Sequence, residues 1–542
     1  MSGRKLVITA VVGCAATIGL LWGTKIPLGV PGEWVWERIP FPFDNPLDGI
    51  LGWFSAALFA IVYCLYAIAV DGYFSTLRRA GRLALLGGLV ALGFGWVWTL
   101  QESPPDGFRL SKVVWTLYYP GSSGYFYEMR YRPVTTAELL ASYVNRMEQG
   151  DVLHEGTHPP GLFVLYQGLI RACDASSALR QFAEQTTPDS FRTAFEILQE
   201  NAARSATPVE PGDASVLWWA ALLTQLAALL TLLPLYGLLR CVLPPQTSWR
   251  AVVFWPLIPA VTVFLPKSDI IYPLLATMYL WLWMQGLIRR QTAWGLAAGI
   301  VLFAGMNLSL AFLPVVLLSV AIAAVGLLQK QSAEGGPDWS RLRSPVAAGL
   351  GFGLCVLLAW LIWDIPLPSV WLWNLKNHAG FYEEYSRTYW AWLLVNPIEL
   401  TVALGVPVSL AAGVRLVDCW NEFRQKSSAE KSPWQTFLAD CWTVERSSVW
   451  LIPAIWGLLW LSGKNMGEAA RLWVIFMPWA IFLAAPCFAA AQTAESAGQP
   501  SKKRRTDPSR GRDGFVWQSL LILQALVAIA TVTRVSGFHF PG

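Results

Sequence analysis

Charge is what this chain has least of. Asp, Glu, Lys and Arg make up 14% of its 542 residues, against roughly 25% in an average soluble domain, and that shortage excludes an ordinary water-soluble globule. Histidine is scarcer still, at four residues. The eight cysteines include no C-x-x-C pair, and Cys14, Cys64, Cys355 and Cys487 fall singly inside apolar runs, so neither a disulfide framework nor a thiolate metal site is suggested. No internal repeat is legible, and basic residues form one dense run, near residues 496–512, which leaves no nucleic-acid signal beyond a short linker.

What is present is apolar surface. Hydrophobic residues reach 55% and tryptophans number 30, and indole rings collect at membrane interfaces. Runs of about 20 apolar residues, long enough to cross a hydrocarbon core of roughly 30 Å, recur along the chain. The expected spans are 5–23, 50–71, 82–101, 214–239, 251–266, 270–288, 293–308, 310–328, 345–363, 397–416, 447–463, 470–491 and 515–534, about thirteen in all. Residues 5–23 follow Arg4 and Lys5 as a signal peptide would, but no clear small-residue cleavage site precedes Trp22 and Lys25. An uncleaved first span is expected, with a signal peptide as the alternative. The fold class predicted is all-α, a polytopic transmembrane bundle carrying one large helical loop.

The net charge is +5, from 40 Lys plus Arg against 35 Asp plus Glu, and its placement sets the orientation. Arg78, Arg79 and Arg82, then Arg289 and Arg290, then Lys502 to Arg505 each follow an even-numbered span. The positive-inside bias makes those connections cytoplasmic. Connections after odd-numbered spans are then extracytoplasmic, and two of them are long. The chain accordingly divides into N-terminal spans (1–101), a first loop (102–213), central spans (214–363), a second loop (364–396) and C-terminal spans (397–542) with the basic linker 496–512. The first loop contains an amphipathic stretch at Thr136 to Gln149 and an apolar run at Leu162 to Leu169, so ordered structure along the membrane surface is expected. Loops of this size in a compact protein are usually functional or disordered.

His154, His158 and His378 all fall in these two loops. The string His154-Glu155-Gly156-Thr157-His158-Pro159-Pro160-Gly161 contains H-E-x-x-H, which on a helix sets two imidazoles on one face for zinc. Leu47-Asp48-Gly49 adds a segment of the kind that supplies a further ligand in intramembrane metalloproteases. The local physics opposes a zinc helix: Gly156 weakens the turn and Pro159 steers His158 from helical angles. The aspartate also precedes the histidines, the reverse of the order expected in that family.

The second half of that string, His158-Pro159-Pro160-Gly161 leading into Leu162-Phe163-Val164-Leu165-Tyr166, resembles the end of the first large external loop in GT-C superfamily glycosyltransferases, which include protein O-mannosyltransferases. Gly124-Tyr125-Phe126-Tyr127-Glu128-Met129-Arg130 falls in the region where that superfamily places its catalytic acidic residue. Pro266-Lys267-Ser268-Asp269, Ala304-Gly305-Met306-Asn307-Leu308-Ser309 and Glu468-Ala469-Ala470-Arg471-Leu472-Trp473 resemble segments of bacterial lipid-linked-sugar transferases. The adjacent Asp-Glu pair of O-mannosyltransferases is absent; Glu128 stands nearest its place, and Asp44 or Asp48 is the alternative near the first span.

The resemblance implies a polyprenyl-phosphate sugar as donor, a lipid, glycan or protein as acceptor, and inverting transfer at the outer face of a cytoplasmic membrane. It implies no organic cofactor and leaves a divalent ion open. Such chemistry needs a carboxylate to take the acceptor proton and cations to stabilise the departing phosphate. Glu128 and Glu155 are the candidate bases. Arg130, His158, Lys376, His378, Glu468 and Arg471 are the candidate substrate contacts. The second loop also offers Trp371, Trp373, Phe381, Tyr382 and Tyr385 among polar groups, a mixture that suits a sugar ring or, more blandly, an interfacial aromatic belt. Bland alternatives hold elsewhere: Lys267 and Asp269 pair or snorkel at a span end, Asn307 joins two spans, and Glu468 with Arg471 forms a local ion pair. A transporter is the leading rival and requires charged or broken helices near the midplane; a metalloprotease is third.

Overall fold

The computed structural model describes the chain apart from residues 42–44, 133, 151, 153, 204–206, 335–338, 430–443, 490–508 and 539–542. Asp44 and most of the basic linker 496–512 lie outside the described residues, as does the side chain of Asp48. What is described is almost entirely helix. Two short antiparallel strand pairs, Gly29–Val30 with Trp34–Val35 and Glu37–Arg38 with Val535–Ser536, complete it.

Among the described residues, nine helices are long and apolar enough to cross a membrane: Gly3–Gly23, Gly49–Asp71, Arg79–Gln101, Asp213–Leu239, Ser268–Arg289, Leu310–Leu327, Ser340–Trp363, Ala469–Phe488 and Gly514–Val532. The chain is a multi-pass membrane protein. A tenth crossing is supplied if the bent pair Tyr389–Leu404 and Val406–Lys426, angled at 115°, counts as one span.

The gap from the expected thirteen has local causes. Residues 251–266 do not form one helix, because Pro256 and Pro259 each remove a backbone donor and crowd the preceding turn. The chain there runs through Pro245–Val252, a 3₁₀ turn at Trp255–Leu257 and the short Pro259–Val263. Thr292–Met306 and Arg446–Leu461 are apolar but shorter than a full crossing. The run 397–416 is interrupted at Gly405, whose φ of +88° places it in the left-handed region that favours glycine. A Cβ there would also strike the buried amide of Gln524, which donates to the carbonyls of Leu257 and Leu404 at 3.1 and 2.9 Å.

The described residues of 112–202 form seven short helices, from Lys112–Tyr118 to Asp189–Ala202. The amphipathic stretch at Thr136 becomes Thr136–Ala141 and Tyr143–Met147, started by a capping box between Thr135 and Glu138. The apolar run at Leu162 lies inside Gly161–Ala175. The expected second loop contains an 18-residue helix, Leu367–Glu384.

At the bundle end opposite these helices, Arg250 holds Asp71 in a two-pronged pair with both bonds at 2.8 Å. Its remaining nitrogen donates to the Phe488 carbonyl at 3.2 Å, and the Trp517 ring lies against its guanidinium. One arginine thus ties three spans. Asp71→Ala would leave that cation buried without its counter-charge, and an expected cost of about 3–5 kcal/mol should lower the thermal midpoint in detergent. The Asp71→Leu/Arg250→Met double variant should recover most of the loss.

Candidate functional site

Gly161 fixes the floor of the site. Its N–H donates to the Asn307 carbonyl at 2.9 Å, and a Cβ would run into that same oxygen. The His-Pro-Pro-Gly element therefore touches the 305–309 turn directly. Pro160 caps Gly161–Ala175, while His154 to His158 makes one helical turn, with the His158 N–H donating to the His154 carbonyl at 3.1 Å. Tyr143 donates to the carbonyls of Glu155 and His158 at 3.2 and 2.8 Å. Asn374 and Asn377 both donate to the Gly156 carbonyl at 3.1 Å. Buried amides on Leu367–Glu384 thus brace the turn carrying the two histidines.

That bracing aims His154 inward. Its ring lies 5.7 Å from the Tyr125 ring and 6.3 Å from that of His158, centroid to centroid, and Tyr125 stacks on Tyr166. Burial, with Lys267, His158 and Arg471 nearby, pushes the His154 imidazole well below its ordinary value, so at neutral pH it is an uncharged partner.

Beneath it stands a cluster of charge drawn from two separated segments. Arg471 reaches Glu468 at 3.1 Å and Asp269 at 3.6 Å. Lys267 and Asp269 are 7% and 6% exposed, too buried to be snorkelling span ends, whereas the Glu468 and Arg471 side chains keep 19% and 20% exposure and open the cluster to one side. Burial, then Arg471, pushes the Lys267 ammonium down to about 7 against the pull of Asp269 and Glu468. The Tyr125 hydroxyl, raised well above its ordinary value by burial and then by Tyr272 and Asp269, stays protonated there.

Leu367–Glu384 closes another side. Tyr382 accepts the N–H groups of Asn465 and Met466 at 2.7 and 3.2 Å, clamping the turn that presents Glu468. His378 is half-buried on the same helix face, lowered by burial and by Lys464, with Glu468 acting in the opposite sense.

The structure thus gathers His154, His158, Glu468, Arg471 and, at its edge, His378. It does not bring in Arg130 as a phosphate ligand: all three guanidinium nitrogens are committed, to Asp174 at 3.0 Å, Glu210 at 2.7 Å and Asp213 at 2.8 Å. Lys376 sits over Trp373 at 4.0 Å, on the exposed face with Leu372 and Leu375 and away from Asn374 and Asn377. Glu155 is paired with Arg146 at 2.8 Å. Glu128 is paired with Arg132 at 3.0 Å, one turn beyond Tyr125 on Tyr125–Tyr131.

Lys267 and Asp269 stand in this cluster although neither is among the candidate bases or substrate contacts expected from the sequence. Their signal was present as two charges one and three residues after Pro266 in an apolar stretch, which reads equally well as a solvated span end. Among the described residues, no group of three or more His, Cys, Asp or Glu side chains is placed to hold a metal ion.

No protein-family model matches the chain, and no curated protein matches it either. The geometry therefore carries the functional reading.

Proposed function

We propose that this protein is an inverting membrane glycosyltransferase that moves a sugar from a polyprenyl-phosphate donor to a lipid, glycan or protein acceptor at the extracytoplasmic face of a cytoplasmic membrane. The observation that carries the reading is the cluster under His154 in which buried Lys267 and Asp269 meet the half-buried Glu468 and Arg471. Two cations beside two carboxylates match a reaction in which a phosphate departs as a hydroxyl loses its proton. Arg471 and protonated Lys267 contact the donor phosphate, Asp269 or Glu468 accepts the acceptor proton, and His154 supplies a neutral hydrogen bond. The acceptor oxygen forms the new bond to the anomeric carbon, the carbon–oxygen bond to phosphate breaks, and the lipid phosphate leaves with the electron pair.

An apolar cavity of about 220 Å³ supports the lipid half of the donor. It is lined by Leu400, Leu404, Leu416, Trp456, Trp473 and Met477, among others, and Trp473 lies two residues beyond Arg471. Sidedness follows the bias of Arg78, Arg79, Arg82, Arg289 and Arg290, which assigns the end of the bundle opposite the cluster to the cytoplasm. The thirteen-span count and the extracytoplasmic placement of 102–213 and 364–396 belong to this proposal. Glu128 and Glu155 are retained as second-choice bases, and His158 and His378 as sugar contacts. No resident cofactor is invoked, and a divalent ion is an additive to vary.

The test is turnover of polyprenyl-phosphate sugars by purified protein, read as transfer to acceptor or hydrolysis of donor. Its pH dependence follows from Lys267. A lysine whose folded value is lowered to about 7 is a cation below that pH and neutral above it. Donor kcat/KM is therefore expected to hold below pH 7 on its account and to fall up to about tenfold per unit above, since that ratio reports the free enzyme. Lys267→Met should remove this upper limb. Absence of turnover across all donors would reject the reading.

A second reading has one observation in its favour. Glu399 is 1% exposed within the bent pair, and neither of its carboxylate oxygens has a hydrogen-bond partner among the described residues. A buried acid in a broken span is a feature expected of transporters. Substrate flux into vesicles that Glu399→Gln abolishes, without sugar transfer, would favour transport.

A further inference from the structure

We infer that the end of the bundle opposite the charge cluster carries a binding site for one anionic phospholipid of the adjoining leaflet. A cavity of about 770 Å³ opens there between Arg79–Gln101, Leu232–Leu239 and Tyr272–Arg289, with Trp294 from Thr292–Met306 at its rim. Its mouth is formed by Arg79, Arg82, Arg240 and Arg289. Among the described residues, none of these four pairs with a carboxylate. Arg82 donates to the carbonyls of Phe74 and Ser75 at 3.2 and 2.7 Å, Arg240 donates to the Leu243 carbonyl, and Arg289 rests on the Trp294 ring at 5.0 Å. Tyr236, one helical turn before Arg240, lines the same opening. The result is four positive charges with spare donors around one opening.

Polarity then changes with depth along each wall. On Tyr272–Arg289 the lining residues are Arg289, Gln285, Trp281, Met278 and Leu274, one helical turn after another. Arg240 gives way to Tyr236, Leu233 and Leu230, and Arg82 to Leu83 and Leu86. Leu83 and Leu233 are exposed at 51% and 38%, as befits a groove open sideways to hydrocarbon. From Leu274 to Arg289 the wall runs about 22 Å at 1.5 Å per residue, close to half of a bilayer about 40–45 Å thick with its headgroups. A soluble phosphate has no use for that apolar depth, and an uncharged lipid none for four arginines. A phosphate headgroup with its acyl chains uses both, the charge-assisted bonds of guanidinium to phosphate holding the head. The inference is independent of the sugar-transfer reading, because none of these residues belongs to the charge cluster.

The test is lipid retention by the full-length protein in neutral detergent, measured by native mass spectrometry with phosphatidylglycerol and phosphatidylcholine of identical chains. One phosphatidylglycerol per chain should be retained at least tenfold more than phosphatidylcholine. Arg79→Gln/Arg289→Gln, which alters two exposed side chains, should remove that preference, whereas Arg78→Gln, outside the cavity, should keep it. Leu233→Trp, which fills the groove and leaves the arginines, should lower retention of phosphatidylglycerol by a similar factor. Equal retention of the two lipids, an equal loss in Arg78→Gln, or displacement of bound lipid by millimolar glycerol phosphate would overturn the assignment.

Discussion

Arg471→Gln is expected to lower donor turnover about 10³-fold, the upper end of what removing one preorganised donor to a developing anion costs and about 4 kcal/mol of barrier. The reason is position. Arg471 is the residue that links the segment beginning at Glu468 to the one containing Asp269, at 3.1 and 3.6 Å, so any phosphate entering the cluster meets its guanidinium. Arg471→Lys keeps the charge but loses the planar fork, and an intermediate loss is expected because a lysine cannot present two parallel donors. Because Arg471→Gln also takes the shared partner away from Asp269 and Glu468, thermal midpoints must be compared with rates. A variant that melts like the wild type and still turns over donor within tenfold of it would remove Arg471 from the chemistry.

The second large effect concerns the carboxylates. Asp269→Asn and Glu468→Gln each preserve shape while removing proton-accepting capacity, and the one that serves as base should lose about 10²–10⁴-fold in kcat with little change in donor KM. The other should act chiefly on KM through its hold on Arg471. Glu128→Gln and Glu155→Gln are expected to stay within tenfold, since each carboxylate is already paired with a loop arginine. A reversed ranking, with a loop variant inactive and both cluster variants active, would move the base to the 102–213 segment. Azide or another small nucleophile replacing the acceptor separates the cases further, because rescue is expected only where a proton acceptor was lost.

The membrane character was legible because it depends on summed hydrophobicity, which no single residue can mask. The His-Pro-Pro-Gly element was legible as well: two prolines and a glycine permit few backbone paths, and the structure starts Gly161–Ala175 there. Span number was less so. A hydropathy run records how apolar a stretch is, but not that Pro256 and Pro259 have divided it or that Gly405 has turned it through a sharp angle. The ion pairs were least legible. Arg130 looks like a free cation in one dimension, and nothing local announces that Asp174, Glu210 and Asp213 converge on it from 44, 80 and 83 residues away. Lys267 and Arg471 present the converse case, two charges about 200 residues apart whose proximity exists only once the helices are assembled.

The packing of Gly3–Gly23 bears on how the protein is built in time. Trp22 donates to the Ala530 carbonyl at 3.1 Å, Arg534 to that of Leu21 at 3.2 Å, and Glu37–Arg38 pairs with Val535–Ser536. Gly3–Gly23 therefore acquires its main neighbour, Gly514–Val532, only after about 490 further residues of synthesis. Until then the face that carries Leu6, Ala10, Cys14 and Leu21 meets lipid or a chaperone, and a nascent chain halted before Gly514–Val532 would expose it as a ready signal for membrane proteolysis.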